Sequence, residues 1–305
     1  MYRPKKNDTI LFGCSGFFGP IILENYPNII AAGRTPPPKY IKNKYIKVRD
    51  SRDLNKRKNF NFKNVIFLIG NSHHSVLNSS SLDKALSYNF YPLKDYLEFF
   101  IKKKVKRVII FSGALIYGKK NLKLPVNEKQ KIDGYQNNYL FSKYLSEQIA
   151  EFYRNKINII NVRLSNIYGP THLKRPDLIQ EILNQTIIQN KKQIYIKNFR
   201  PKRDFIYAKD AADALIKLLK TNYSGNINLG SGKMYSIKQV CEIIKKYTGV
   251  KINSKNNKVG GQMKFVFDIN KIKKIAKWKP KYSLEQGIRL TIDKLYKIQN
   301  EIKKK

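Results

Sequence analysis

A short apolar run, Thr9-Ile10-Leu11-Phe12, gives way to Gly13-Cys14-Ser15-Gly16-Phe17-Phe18-Gly19 and then to a longer apolar stretch reaching Tyr26. This strand, glycine loop, helix order restricts the fold more than any other feature of the chain. Glycines at a strand end let the backbone approach a phosphate, and the free N–H groups and positive dipole of the following helix bind it. The spacing is G-x-x-G-x-x-G rather than the usual dinucleotide fingerprint G-x-G-x-x-G. In a chain with 16 Gly, such a loop taken alone is equally a turn with no ligand. Its position directly after an N-terminal apolar strand favours the phosphate reading. Pro20 falls in the first helical turn, where a missing N–H is tolerated.

A second strand, Asn28 to Ala32, ends at Gly33-Arg34. An acidic residue here would accept from a ribose 2′-hydroxyl and favour NAD, whereas Arg favours a 2′-phosphate. Arg34 therefore points to NADP. NAD stays open, because 61 Lys+Arg make a basic residue common at any position. Further apolar strands, Val65 to Ile69, Val108 to Phe111 and Ile157 to Val162, alternate with helical stretches. That alternation predicts a parallel sheet covered on both faces, an α/β chain with a Rossmann-type doubly wound sheet.

Tyr139 and Lys143 are four residues apart in a helical pattern, which places both side chains on one face. An ammonium beside a phenol favours the phenolate and lowers a pKa that starts near about 10. Such a Tyr can serve as acid or base near neutral pH. The spacing is cheap in this chain, recurring as Tyr2/Lys6, Tyr40/Lys44 and Tyr247/Lys251. Among these pairs, Tyr139/Lys143 is the one that follows the core strand Arg107 to Phe111 inside a first domain.

With both motifs in place, the chain resembles the extended short-chain dehydrogenase/reductases, the NAD(P)-dependent nucleotide-sugar epimerase/dehydratase family. The landmarks run in order: Asp50 and Asp53, Asn89, Phe111 to Gly118, Glu147, Arg163 to Pro170, Arg203 to Tyr207, Asn228 to Gly232, Asp268, Trp278-Lys279-Pro280 and Ser283 to Gly287. The resemblance implies a dinucleotide-binding domain over 1–165, to which 204–232 returns, and a smaller C-terminal α/β nucleotide-sugar lobe over 166–305. It implies that Gly13, Gly16, Phe17, Phe18, Gly19, Arg34, Asp50, Tyr139 and Lys143 hold NADP or NAD, with Asp50 near the adenine. A nucleoside-diphosphate sugar would lie against Asn166 and Arg203, with Lys258 in the turn Lys258-Val259-Gly260-Gly261 as a second cation. A homodimer is the implied assembly.

Departures from the family pattern narrow the reaction. The family places a Ser or Thr four residues before the Tyr of its Tyr-Gly pair. Here that position is Gly113, and Ser112 is the candidate catalytic hydroxyl one residue earlier. Ala114 and Leu115 stand where dehydratases carry Asp-Glu, and neither transfers a proton. The Cys and His of the GDP-fucose-forming members are unmatched, His172 being an approximate fit. Hydride transfer at sugar C4 with Tyr139 as acid/base remains, as a 4-epimerase or a 4-ketoreductase. His73 and His74 read as part of a polar loop near the cofactor, since no further ligands at metal spacing accompany them.

The 305 residues suffice for a large core and a smaller lobe. No apolar run approaches the roughly 18 residues of a membrane span, and no secretory segment opens the chain. Two distant cysteines, Cys14 and Cys241, fit a reducing cytoplasm. The net charge of +40 offers a second reading, a degenerate family member that binds nucleic acid through a basic surface. Its basic residues are spread along the chain rather than clustered, and intact Tyr139, Lys143 and Arg203 weigh against it, so nucleic acid is not expected as a partner.

Overall fold

The computed structural model describes residues 8–56, 59–118, 121–133, 135–171, 173, 175, 177–258 and 262–303. Seven strands form the central sheet: β1 (Thr9–Phe12), β2 (Ile30–Gly33), β3 (Tyr45–Lys47), β4 (Asn64–Phe67), β5 (Arg107–Gly113), β6 (Asn158–Leu164) and β11 (Gly225–Leu229). All pair in parallel, in the order β11-β6-β5-β4-β1-β2-β3.

Strand alternation sends side chains to two cores. Leu11, Ala31, Ile66, Ile109 and Ile160 pack against α1 (Phe18–Asn25), α8 (Ala208–Leu218) and α10 (Asn270–Ala276). Ile10, Phe12, Val65, Phe67, Val108 and Ile110 face the opposite side, against α2 (Ser51–Asn55), α5 (Tyr91–Lys102) and α6 (Asn138–Tyr153). Both faces are covered, which is why these strands read as nearly continuous apolar runs. Two further helices, α3 (His74–Asn78) and α4 (Leu82–Asn89), connect β4 to α5.

A third core builds the C-terminal lobe from α7 (Leu178–Leu183), α9 (Ile237–Thr248) and α11 (Leu284–Lys303). Three two-stranded ladders accompany it. They pair β7 (Asn166–Tyr168) with β10 (Phe205–Tyr207), β8 (Gln193–Ile196) with β13 (Lys251–Ser254), and β9 (Lys202–Arg203) with β12 (Tyr235–Ser236).

The chain runs from β1 outward through β2 and β3, then crosses back to β4 on the other side of β1. The carboxyl ends of β1 and β4 therefore flank a topological switch point, the crevice where doubly wound sheets bind ligands.

Candidate active site

Each glycine of the loop at this crevice has its own physical reason. Gly13 has φ +86°, and a Cβ there would lie 3.0 Å from the Leu68 carbonyl carbon. A Cβ on Gly19 would meet the Cys14 carbonyl oxygen at 2.7 Å, so α1 packs onto the loop only without it. Gly16 differs, because a Cβ there would meet nothing closer than the Gly13 oxygen at 3.5 Å. Packing does not require this glycine, and its bare backbone opens onto the crevice. That is the cradle a pyrophosphate needs.

Two cavities meet across the loop and share Gly13, Gly16, Arg34, Leu68, Ile69, Gly70 and Tyr88. One, of about 570 Å³, contains Phe17, Phe18, Gly19, Ser112, Tyr139 and Lys143 in its wall. The other, of about 750 Å³, contains Arg49, Asp50 and Arg52. A two-part crevice with phosphate-ready backbone at its waist fits the two halves of a dinucleotide.

Tyr139 sits at the start of α6, which is clamped from the β4 side. Asn137 Oδ1 accepts from Leu140 N at 2.9 Å, Asn138 Nδ2 donates to Ser80 O at 2.7 Å, and Tyr139 N donates to Asn78 Oδ1 at 3.3 Å. Buried Asn89 ties the helix to the β4 loop, accepting from Asn71 N at 2.8 Å and donating to Ser142 Oγ at 3.0 Å. Lys143 Nζ reaches the Phe111 carbonyl at 3.5 Å. Ser112, on the adjoining stretch of β5, is buried, and its Oγ has no hydrogen-bond partner among the described residues.

The electrostatics differ from what helix spacing predicts. Burial pushes the Tyr139 phenol up to about 12, with Asp177 adding to the rise and Arg175 opposing it. Burial pulls Lys143 down to about 8, with Glu147 opposing. Desolvation thus outweighs the neighbour charge, and the protein's own groups hold the phenol protonated rather than lowering its pKa through Lys143. Behind Lys143 lies a buried network. Arg163 donates to Glu147 at 2.6 and 3.1 Å and to the Tyr117 hydroxyl at 2.9 Å, and Tyr117 donates to Asn228 Oδ1 at 2.7 Å.

Other candidates separate spatially. Arg34 joins Arg49 and Arg52 in the larger cavity, a basic cluster of which the sequence reading singled out only the first. Asp50 lines that cavity as the cap of α2, accepting from Arg52 N at 2.9 Å and pairing with the Arg52 guanidinium at 2.6 Å, which holds its carboxyl below the ordinary value. Asn166 is exposed on β7 and donates to the Asp204 carbonyl at 3.0 Å. Arg203 is half-buried on β9, donates to the Lys202 carbonyl at 2.9 Å, and is shifted down by desolvation. Lys258 is exposed. None of these three lines the Tyr139 cavity, whereas His73 does. Ala114 and Leu115, on the 3-10 turn Ala114–Tyr117, do not line it either. His172 and the Val259 to Gly261 part of the second-cation turn lie outside the described residues.

Arg175 was not singled out by the sequence reading. It lines the Tyr139 cavity, with its guanidinium carbon 4.4 Å from the Phe17 ring centroid and a 2.6 Å ion pair to Asp177. In the sequence it stands in Arg175-Pro176-Asp177 shortly after Gly169-Pro170, with no helical or strand periodicity to attract notice.

Comparison with known proteins bears on this site. The family described as GDP-mannose 4,6 dehydratase matches residues 41–291. A putative UDP-glucose 4-epimerase of Methanocaldococcus jannaschii is 27% identical over 253 residues, 80% of this chain and 81% of that protein. UDP-glucuronate 4-epimerase of Thermodesulfobacterium geofontis is 30% identical over 194 residues, 62% of this chain and 59% of that protein. An uncharacterized protein of M. jannaschii is likewise matched over 60% of its length, so the chain spans about three fifths of two of these relatives. Among solved structures, an epimerase of Methanothermobacter thermautotrophicus superposes with a TM-score of 0.85 at 19% identity, covering 98% of this chain and 95% of that one. UDP-glucose 4-epimerase of Thermotoga maritima superposes at 0.83 with 20% identity, covering 95% and 99%. At those identities the structures establish the fold, and the family match establishes descent. The chain belongs to the GDP-mannose 4,6-dehydratase family, within the extended short-chain dehydrogenase/reductases that comprise nucleotide-sugar epimerases and dehydratases.

Proposed function

We propose that the protein is an NAD(P)-dependent enzyme transferring a hydride at C4 of a nucleoside-diphosphate sugar, as a 4-epimerase or a 4-ketoreductase. The observation that carries this reading is the meeting of Ser112, Tyr139 and Lys143 in one cavity that continues past the glycine loop. The nicotinamide, when bound, supplies or accepts the hydride. Tyr139 holds the proton that moves to or from the sugar C4 oxygen. Ser112 Oγ, buried and without a partner among the described residues, orients that oxygen by a hydrogen bond. Lys143, cationic below about pH 8, adds positive charge where the phenolate forms.

Nothing at Ala114 or Leu115 can carry the extra proton transfers of an elimination, which supports hydride-only chemistry over dehydration. Arg34, Arg49 and Arg52 in one cavity support a 2′-phosphate and hence NADP. Arg203, half-buried and paired with no carboxylate in the described structure, suits the substrate diphosphate.

Incubation with UDP-glucose and UDP-glucuronic acid, followed by sugar analysis and nicotinamide absorbance, tests the reading. A 4-epimerase interconverts C4 stereoisomers with no net cofactor change. A ketoreductase consumes NADPH only when offered a 4-keto sugar. A parent protein that binds no nicotinamide dinucleotide refutes both.

A further inference from the structure

We infer that Arg175 is an anion-binding side chain of the Tyr139 cleft, holding a phosphate or carboxylate oxygen against the Phe17 end of the glycine loop. The inference rests on the cleft reading given above and adds a ligand group that neither the glycine loop nor Arg203 supplies.

Two described contacts bracket Arg175 in the chain. After β7, Gly169 is pressed so closely on α8 that a Cβ would lie 2.9 Å from that of Ala208, and Gln180 of α7 donates to the Gly169 carbonyl. Asp177 stands at the N-terminal cap position of α7. The Arg175 guanidinium lies over the Phe17 ring of the glycine loop, its carbon 4.4 Å from the ring centroid. The side chain is 13% exposed, so its charge is held in the cleft rather than in solvent.

Among the described residues, Asp177 and Phe17 occupy only part of the guanidinium. Its five N–H donors lie in one plane. Asp177 Oδ2 takes the edge formed by Nε, at 2.7 Å, and Nη2, at 2.6 Å. Phe17 covers one face. The remaining edge, at Nη1, makes no hydrogen bond with the described residues and is the one we assign to an oxygen in the cavity. The surroundings select the sign of that ligand. Among the described lining residues the basic groups are Arg34, His73, Lys143 and Arg175; no Asp or Glu is among them, and Asp177, whose charge reaches Tyr139, is engaged by Arg175. A cleft walled in this way concentrates anions.

Two sources supply such an oxygen, the cofactor's pyrophosphate or an acidic group on the substrate sugar. Arg175→Met in the full chain separates them, because Met keeps an apolar stem on Phe17 and removes the fork. Calorimetry with NADP⁺ and NAD⁺, and steady-state kinetics with UDP-glucose and UDP-glucuronic acid, are the measurements. Loss of one charge-assisted contact corresponds to roughly ten- to a hundredfold in affinity. Weaker binding of both dinucleotides by that factor assigns the pyrophosphate. A rise in KM for UDP-glucuronic acid, with UDP-glucose unchanged, assigns a sugar carboxylate.

Arg175→Lys, which keeps the charge but not the fork, should recover part of either loss and guards against a fold defect in the Met variant. All constants unchanged within about threefold in both variants overturns the inference while leaving the cleft reading intact. A parent protein that binds neither dinucleotide overturns both.

Discussion

Ser112 and Gly113 are neighbours on β5 but belong to different environments. Among the described residues, the Ser112 Oγ is buried without a partner in the cavity of Tyr139 and Lys143, whereas a Cβ built on Gly113 would meet only the Leu164 carbonyl oxygen, at 3.9 Å. Successive strand residues point to opposite faces, so one position faces the cleft and the other does not. Ser112→Ala should lower turnover by about 10²–10³, the range for one donor aimed at a reacting oxygen. Gly113→Ser should fold with an unchanged melting temperature and, in the Ser112→Ala background, should not restore turnover. Restoration would place the reacting oxygen beyond the strand end instead.

Tyr139→Phe keeps the ring and removes the only proton the mechanism moves. Dinucleotide binding by calorimetry should persist while turnover falls by about 10²–10⁴. Full activity in this variant is incompatible with the proposed chemistry.

Cofactor choice is predicted from the basic cluster at the far end of the crevice. NADP(H) should bind more tightly than NAD(H), and Arg34→Asp should reverse the order by placing a carboxylate against the ribose hydroxyls. Arg52→Ala should weaken NADP(H) and also release Asp50, whose carboxylate Arg52 now engages at 2.6 Å. Equal affinities in the parent would remove the 2′-phosphate role of the cluster.

Lys143 makes a signed prediction about pH. Its folded pKa is about 8 against an ordinary 10.5, so the unfolded chain binds the proton more tightly. Between these values the unfolded state carries more protons, and the Lys143 contribution to stability rises with pH. Lys143→Met should therefore raise the melting temperature below pH 8, with the gain shrinking as pH approaches 10.5. A gain independent of pH would show that desolvation of the ammonium is not its origin.

Glu147→Gln leaves the Arg163 guanidinium, 2% exposed, without its carboxylate. Removing one partner of a buried pair costs about 3–5 kcal/mol, measurable by denaturant titration. Arg163 also holds Tyr117, and through it Asn228 of β11, so loss of the sheet edge should accompany the destabilisation.

Several parts of this arrangement were legible locally. The Gly13–Gly19 loop follows from the backbone demands of Gly13 and Gly19, and the parallel sheet from runs such as Thr9–Phe12, which are buried on both faces. The pairing of Tyr139 with Lys143 on one helix face is likewise a matter of 3.6-residue periodicity. Each of these is a property of a few consecutive residues.

What depended on distant residues was decided only by folding. Spacing alone predicts a lowered pKa for Tyr139, yet burial and the charge of Asp177, distant in sequence, push it up to about 12 against the opposing charge of Arg175. Arg49 and Arg52 join Arg34 because β3 lies beside β2, and Arg175 meets Phe17, far from it in sequence, only in the folded chain. The sequence by itself determined which elements form and which of their faces are apolar, because those depend on neighbouring residues. The tertiary structure decided dielectric surroundings and long-range charge contacts, because both depend on what the folded chain brings within a few ångströms.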